Sequence, residues 1–386
     1  MYCMNNQTFI DRYIDISDQL VPGKVLVIYG PRRCGKTTLL TKLMQDTSKK
    51  FVFYRGDDLS VQQDFSVASE QKLKEKVGKS EILIIDEAQM IPNIGASLKL
   101  LVDSMPELRV VVTGSSAFEL AGQIGEPLTG RKITKYLLPL SVSELTIDQN
   151  APEHFVNTNL ENYLIYGMYP DTITAKADDE KVDFLSELVD SYLLKDILAF
   201  QDVKGSRILF QLLNLLAYQI GGEVSLTELG SQLGIDKKTV DRYLDLLEKS
   251  YIIYRLGGYS RNLRSEITKK PKYYFYDNGV RNALIGNFNK LEIRNDIGQL
   301  WENFAMTERL KKIKYFGPRT NSYFWRTWAG QEVDLVEERD GKLHGFEMKW
   351  KYNDRNHAPK AWLETYPDQS TWKQMSPDQL LEFTNR

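Results

Sequence analysis

The stretch YGPRRCGKTTLL, residues 29–40, directly follows the apolar run VLVI and decides the fold of the first part of the chain. Its glycines, Lys36 and Thr37 match the pattern G-x-x-x-x-G-K-[ST], a loop between a buried strand and a helix. Backbone N–H groups of such a loop surround a phosphate at a helix N-terminus, where partial positive charge favours an anion. The pattern therefore predicts a nucleotide site, with Lys36 on the β- and γ-phosphates and the Thr37 hydroxyl on Mg²⁺.

Two further segments complete the predicted site. Residues 82–85 of EILIIDEAQ form an apolar run typical of a parallel strand buried on both faces. We expect Asp86 to hold Mg²⁺ through water and Glu87 to polarise the attacking water. The third strand, RVVVTGSS, ends in hydroxyl groups, of which Thr113 or Ser115 is expected to sense the γ-phosphate; helix capping is the alternative role of the serines. The predicted nucleotide contacts are Gly30, Pro31, Arg32, Arg33, Cys34, Gly35, Lys36, Thr37, Thr38 and Ser115.

The composition is that of an ordinary globular protein, with 42% hydrophobic and 26% charged residues. A formal net charge of −2 argues against coating of nucleic acid by bulk charge, although it leaves room for local basic patches. No apolar segment approaches the roughly 20 residues that span a bilayer, and the first residues do not resemble an export signal. We therefore expect a cytoplasmic protein without membrane contact. Cys3 and Cys34 provide neither a disulfide framework nor metal-ligand spacing.

The middle of the chain is predicted to be helical up to residue 204 and then to form a winged helix. In residues 225–256, two capped helices joined at Gly234 precede a strand, and a second strand follows a basic loop. The loop could run along DNA phosphates, but acidic residues share the presumed reading helix with the basic ones. DNA contact and a solvated face both remain open. The basic residues of the loop are Arg261, Arg264, Lys269, Lys270 and Lys272.

The C-terminal part contains the strand-like segments SYFWRTW, QEVDLVEE and HGFEMKW. Strand alternation places Val333 and Leu335 on one face of the sheet, and Asp334, Glu347 and Lys349 on the other. Two carboxylates and a lysine in the order D-(x)n-E-x-K suit metal-dependent hydrolysis of a phosphodiester, as in the restriction-endonuclease superfamily. The predicted metal ligands here are Glu302, Asp334 and Glu347, and the predicted catalytic residues are Glu347 and Lys349. The alternative is a degenerate fold in which Lys349 only pairs with a carboxylate. A neighbouring basic tract would suit a phosphate backbone or be solvated: Arg309, Lys311, Lys312, Lys314 and Arg319.

Taken together, GPRRCGKTTLL, IIDEAQ, VVTGSSAFEL, LTGRKITKYLLPLSVSEL and YGMYP resemble a widespread prokaryotic group of AAA+-type ATPases. The similarity continues through SYLLKDI, KKPKYYFYDNGVRNALIG, GQLWENF and GQEVDL, and so covers nearly the whole chain. In this group a C-terminal domain of unknown function ends in a restriction-nuclease-like fold. The resemblance makes Arg131 a candidate arginine finger or sensor, with a surface ion pair as the equal alternative.

These observations predict an α/β chain with a P-loop NTPase parallel sheet and a helical lid, followed by a winged helix and a small α/β restriction-endonuclease-like domain. The expected boundaries are 1–150, 151–204, 205–290 and 291–386. The leading hypothesis is a Mg²⁺-dependent ATPase that acts on double-stranded DNA, with ATP gating the C-terminal region. The alternatives are an ATP-switched regulator with a silent nuclease fold, and a homo-oligomeric ring motor whose arginine acts in trans. The chain has no guanine-reading N-K-x-D motif in the expected place, which favours ATP over GTP.

Overall fold

The computed structural model describes residues 9–66, 69–115, 128–193, 206–260, 270–317 and 320–384. Its N-terminal strands are β1 (Val25–Tyr29), β2 (Phe51–Arg55), β3 (Ile82–Asp86), β4 (Arg109–Gly114) and β5 (Lys132–Tyr136). Within the described residues they form one parallel sheet in the order β2-β3-β4-β1-β5. The predicted parallel α/β sheet is therefore confirmed. The loop at residues 30–35 lies at the carboxyl edge of this sheet.

Helices cover both faces of this sheet. They are α1 (Ile16–Gln19), α2 (Lys36–Asp46), α3 (Leu59–Ser66), α4 (Glu70–Val77), α5 (Ile94–Ser104) and α6 (Val142–Leu145). Successive side chains of a strand point to opposite faces, so Val25 and Val27 pack with α5 whereas Leu26 and Ile28 pack with α2. All of β1 is buried, which explains its uninterrupted apolar sequence.

A helical region follows. It contains α7 (Pro152–Tyr166), α8 (Pro170–Thr174), α9 (Asp178–Glu187), a π-helix (Leu188–Leu193), α10 (Ser206–Tyr218), α11 (Leu226–Leu233) and α12 (Lys237–Lys249). Ser225 and Asp236 cap α11 and α12 through their side chains, and Gly234 ends α11 with a φ of 67°. These caps and this turn agree with the sequence expectation.

A second sheet is built from the rest of the chain. Its strands are β6 (Ile253–Gly258), β7 (Lys272–Phe275), β8 (Asn321–Arg326), β9 (Glu332–Arg339), β10 (Lys342–Met348) and β11 (Ser370–Met375). Helices α13 (Asn278–Leu284), α14 (Ile297–Phe316), α15 (Lys360–Thr365) and α16 (Leu380–Thr384) accompany them. Within the described residues the order is β11-β10-β9-β8-β6-β7. Strand β6 pairs with β7 as expected, but it also pairs with β8 through Gly257 and Tyr323. The expected boundary at residue 290 therefore cuts through one sheet.

The alternation expected for β9 is wrong at one point. The register between β8 and β9 shifts between Tyr323, which pairs with Val336, and Trp325, which pairs with Val333. Strand β9 therefore carries one extra residue, as in a β-bulge. As a result Val333 packs in the cluster around Trp325, whereas Leu335 packs in the cluster on the other face. The bulge lies next to Asp334 and determines where its carboxylate points.

Helix α14, 20 residues long, is largely buried and spans about 30 Å. This burial removes Arg309 and Lys311 from the expected basic surface tract, whereas Lys314 is exposed. Arg309 is buried and its guanidinium bonds both carboxylate oxygens of Glu337, at 2.6 and 2.8 Å. Lys311 is 1% exposed and donates to the carboxylate of Glu308. Because these charges are paired inside the protein, they cannot follow a phosphate backbone; Arg319 lies outside the described residues.

Candidate nucleotide site and acidic cluster

The P-loop is fixed by contacts that exclude larger side chains. A Cβ atom at Gly30 would lie 1.9 Å from the carbonyl oxygen of Leu137, so no other residue fits here. Gly35 has a φ of 98° and caps α2. The buried thiol of Cys34 donates to the carbonyls of Pro31 (2.9 Å) and Leu137 (3.1 Å). Burial also raises the pKa of this thiol, so Cys34 fills space in the loop.

The predicted phosphate and magnesium residues come together at the carboxyl edge of the sheet. The buried Lys36 donates through Nζ to the carbonyls of Gly30 (2.9 Å) and Pro31 (2.8 Å). The Thr37 hydroxyl donates to one oxygen of Asp86 at 2.7 Å. The Thr113 hydroxyl donates to the other oxygen of Asp86. A hydroxyl and a carboxylate in contact are ligands that Mg²⁺ uses in P-loop sites, so these residues fit the ion.

Glu87 follows Asp86 in a left-handed backbone conformation with a φ of 52°. Its N–H donates to the Thr113 hydroxyl at 3.1 Å, and a Cβ atom at Gly56 would lie 2.2 Å from its carbonyl oxygen. The side-chain amide of Gln89 donates to the Glu87 carboxylate. Backbone and side chain are both held, and the carboxylate borders the nucleotide cavity.

This cavity has a volume of about 750 Å³ and is larger than the predicted residues alone define. Of the predicted set, it is lined by Arg32, Arg33, Gly35, Lys36, Thr37, Thr38 and Glu87. Its opposite wall is contributed by α8 and its flanks, including Pro170, Asp171 and Lys176. The helical region, which the sequence suggested as a lid, thus contributes to the lining of this cavity. Phe9, Ile10 and Leu140 give the cavity an apolar part next to the phosphate loop.

The described lining does not include these predicted residues: Gly30, Pro31, Cys34, Asp86, Ser115 and Arg131. Ser115 is buried just after β4, and the described lining does not include it. Thr113, the alternative, is the hydroxyl that contacts Asp86. Arg131 precedes β5 at the amino edge of the sheet, where its carbonyl accepts from Val25. Its guanidinium pairs with Asp103 at the surface. Arg131 therefore does not act at the nucleotide cavity of its own chain, because the loop lies at the opposite edge.

The acidic residues of the C-terminal sheet do come close together. The Tyr274 hydroxyl donates to Glu302 at 2.7 Å, and the backbone N–H of Met348 donates to Asp334 at 2.8 Å. Burial and the neighbouring Asp334 carboxylate raise the pKa of Glu302 to about 8. The same two causes raise the pKa of Glu347 to about 7.

Two lysines pair with acids of this cluster. Lys349 pairs with Glu347 at 2.7 Å and is half exposed, which matches the simple ion pair considered as the alternative. Lys272 was expected in the basic loop but begins β7 and is 3% exposed. It pairs with Glu332, and its Nζ lies 3.8 Å from Glu302. Among the described residues, no three carboxylate, imidazole or thiolate side chains are placed to hold one metal ion. The expected metal ligands therefore do not fit a divalent ion in this arrangement.

Comparison with known proteins identifies the first region. Residues 22–146 match the family model described as an AAA domain. This match supports an AAA-type ATPase domain in this region, and with it binding and hydrolysis of ATP. Residues 157–291 and 297–378 match models described as domains of unknown function, DUF8612 and DUF4143. Among the described helices, none is long and apolar enough to cross a membrane.

Similar proteins occur in distant bacteria. An uncharacterized protein of Haemophilus influenzae is 29% identical over 370 residues, which cover 88% of this chain and 90% of that protein. An uncharacterized protein of Mycobacterium tuberculosis is 27% identical over 329 residues, covering 84% and 70%. The crystal structure of a STAND signal transduction ATPase from Pyrococcus horikoshii is 13% identical over 77% of this chain and 45% of that chain, with a TM-score of 0.24. A score this low does not establish a shared fold.

One contact of the ATPase domain could not have been found from a motif. Arg12 donates to the carbonyls of Cys34 (2.8 Å) and Leu138 (2.5 Å) and to the carboxylate of Glu144 (2.9 Å). It thereby ties the P-loop to the segment after β5. A single arginine upstream of the loop carries no sequence signal.

Proposed function

We propose that the chain is a Mg²⁺-dependent ATPase that works as a switch, in which helix α14 transmits the nucleotide state to the C-terminal sheet. The observation that supports hydrolysis is the convergence of Lys36, Thr37, Asp86 and Glu87 at one cavity. Phosphate positioning and charge stabilisation account for most catalysis of phosphoryl transfer, and these residue types supply both.

Each residue has a separate task in this proposal. Lys36 moves from the carbonyls of the loop to the β- and γ-phosphates of ATP, which offer the charge that carbonyls lack. Thr37 and Asp86 hold Mg²⁺, which neutralises charge on the phosphates when bound. Glu87 accepts a hydrogen bond from the attacking water and orients it toward the γ-phosphate. Thr113 keeps Asp86 and Glu87 in register, since it contacts both.

The switch is supported by the contacts of α14 with the segment after β5. Lys311 donates to the carbonyl of Leu140 at 2.7 Å, and Glu308 accepts from the backbone of Val142 at 2.7 Å. The backbone N–H of Leu138 donates to the Tyr315 hydroxyl at 3.1 Å. Because Leu140 also lines the cavity, a shift there on nucleotide binding moves α14. The other end of α14 carries Glu302 and packs on the second sheet.

The hydrolysis part is tested with two variants. Lys36→Ala should lose ATP binding and turnover, because the β- and γ-phosphates lose the ammonium group that the P-loop motif places on them. Glu87→Gln should bind ATP normally and lose turnover by about 10²–10⁴-fold, the usual contribution of a general base. Both are measured by nucleotide titration and phosphate release. Normal turnover by Glu87→Gln would remove Glu87 from its assigned role.

We further propose that α10–α12 with β6 and β7 form a winged helix that contacts DNA. In support, Lys237, Lys238 and Arg242 lie on the exposed face of α12. Asp241 and Asp245 interrupt this face, so the contact is expected to be weak and salt-dependent. Binding of a fluorescent duplex, titrated at several salt concentrations, tests it; salt-independent binding would argue against phosphate contacts. Arg261, Arg264 and Lys269 lie outside the described residues.

Self-association in response to ATP, measured by sizing, tests the proposed homo-oligomer.

A further inference from the structure

The acidic cluster of the C-terminal sheet contains a lysine that the nuclease pattern does not include. Lys272 belongs to β7, the edge strand, and reaches across the sheet to acids of β9 and α14. Its ammonium group pairs with Glu332 and lies 3.8 Å from the nearest oxygen of Glu302. Its charge also acts on Asp334. The ring of Phe324 lies 5.4 Å from the nitrogen.

The burial of this lysine is informative because an ammonium group is costly to remove from water unless carboxylates compensate it. Glu302, Glu332 and Asp334 supply that compensation. In the same way, three carboxylates packed together would repel one another without a cation between them. Lysine and acids therefore stabilise one another, and the cluster already has its counter-charge.

Three acids of the cluster also have one oxygen engaged by another group. Tyr274 donates to Glu302, and the backbone of Met348 donates to Asp334. Glu347 pairs with Lys349 through one oxygen and keeps its other buried oxygen without a hydrogen-bond partner among the described residues. A divalent ion, which in proteins takes several oxygen ligands, would have to compete with these donors.

We propose that Lys272 is the resident cation of this cluster and stands where a restriction-nuclease-like centre would need a divalent metal ion. A metal ion would have to enter against a fixed positive charge at short range. The C-terminal sheet is therefore a structural and binding element that does not cut phosphodiester bonds. This inference does not depend on the ATPase proposal, since it concerns another part of the molecule.

Mn²⁺ binding to the full nucleotide-free chain tests the proposal, with electron paramagnetic resonance to count bound ions. No ion bound by the wild type should depend on this cluster. Asp334→Asn and Glu302→Gln should therefore bind as many ions as the wild type. Any ion held by the P-loop is recognised by its loss in Asp86→Asn. Lys272→Met removes the ammonium group and keeps the length of the side chain, so it should gain one ion per chain. In that variant Mn²⁺ should raise the Tm by about 5 °C, the effect of a ligand near saturation.

Lys311→Met is the matched control, because Lys311 is equally buried and paired with Glu308. It should lose stability but gain no ion, whereas Lys272→Arg keeps the charge and should also gain none. An ion in the wild type that disappears in Asp334→Asn would overturn the proposal. So would a folded Lys272→Met that binds no Mn²⁺. If Lys272→Met does not fold, the comparison of wild type with Asp334→Asn still decides. Plasmid nicking in Mn²⁺ that is abolished by Asp334→Asn would overturn it too.

Discussion

At the scale of single residues, Gln89 contacts the carboxylate that we propose as the general base, Glu87. Its amide nitrogen donates to Glu87, and its amide oxygen is buried without a hydrogen-bond partner among the described residues. Glu87 lies in a left-handed turn, so no regular helix or strand fixes its side chain. The hydrogen bond from Gln89 supplies that restraint and leaves the second carboxylate oxygen for water. Gln89 is therefore a positioning residue.

Gln89→Ala should lower kcat by roughly tenfold with little change in KM, because it removes orientation and not phosphate binding. Gln89→Glu places a second carboxylate against Glu87, and two adjacent carboxylates do not both ionise easily. The acidic limb of its pH–kcat profile should therefore lie at higher pH than that of the wild type. Steady-state kinetics from pH 5 to 9 measures both effects. An increase of kcat in Gln89→Ala would contradict this role, because it would show that the hydrogen bond from Gln89 inhibits Glu87.

At this scale the sequence predicted which residues lie together where the signal is a short motif of adjacent residues. Lys36, Thr37, Asp86 and Glu87 follow from short motifs, since loop, strand and helix fix their positions locally. Lys272 was misplaced for the opposite reason. Its partners lie 30 and 60 positions further along the chain, and only the sheet order brings them together. A basic residue at a loop end looks solvated until its tertiary partners are known.

At the scale of elements, Asp277 joins the lid to the second sheet. It caps α13 by accepting from Val280 (3.2 Å), and it accepts from Met168 in the turn after α7 (2.7 Å). A Cβ atom at Gly167 would lie 1.9 Å from its carboxylate, so the turn requires glycine. Burial raises the pKa of Asp277 to about 6, although the backbone donors and Lys311 lower it. The charge of Asp277 in turn contributes, after burial, to the raised pKa of Tyr169.

The raised pKa has a definite sign for stability. Between about pH 4 and pH 6 the folded chain keeps a proton on Asp277 that the unfolded chain releases, so its contribution to the free energy of unfolding falls as pH rises. The change is of the order of 3 kcal/mol, since one pKa unit corresponds to about 1.4 kcal/mol. Asp277→Asn should remove this slope in urea unfolding measured from pH 4 to 7.

Asp236→Asn is the matched control, because Asp236 caps a helix at the surface. Hydrogen bonds from Thr239 lower the pKa of Asp236, so the contribution of this cap is lost only as pH falls below about 4, and Asp236→Asn should leave the slope between pH 4 and 7 unchanged. Equal slopes in wild type and Asp277→Asn would contradict the assignment.

Strand positions in the C-terminal part were predictable from alternating patterns, but the bulge in β9 was not. A period of two residues assumes an unbroken register, and one extra residue moves every later side chain to the other face. The register is set by pairing with β8 and β10, which the sequence of β9 does not contain. Asp334 was thus expected beside Glu347 and Lys349 and is found there, while Val333 is not on the expected face.

At the scale of the whole molecule, α14 connects the two sheets. Tyr315, Lys311 and Glu308 contact the segment beside the nucleotide, and Arg309 holds β9 through Glu337. A buried helix of this length moves as a unit, because close-packed interiors transmit displacement. The sequence predicted a helix here, but it could not show that the helix contacts both sheets.

Tyr315→Phe should weaken this connection without touching the nucleotide residues. It removes the acceptor of the Leu138 N–H, and one such hydrogen bond contributes about 1 kcal/mol. In the Glu87→Gln variant, which should retain ATP, bound ATP should slow amide exchange in β11, far from the cavity. Adding Tyr315→Phe should reduce this protection while ATP affinity stays the same. Tyr352→Phe alters an exposed tyrosine and should preserve the protection. Equal protection in both variants would mean that the nucleotide signal does not travel through Tyr315, and would leave Glu308 and Lys311 as its route.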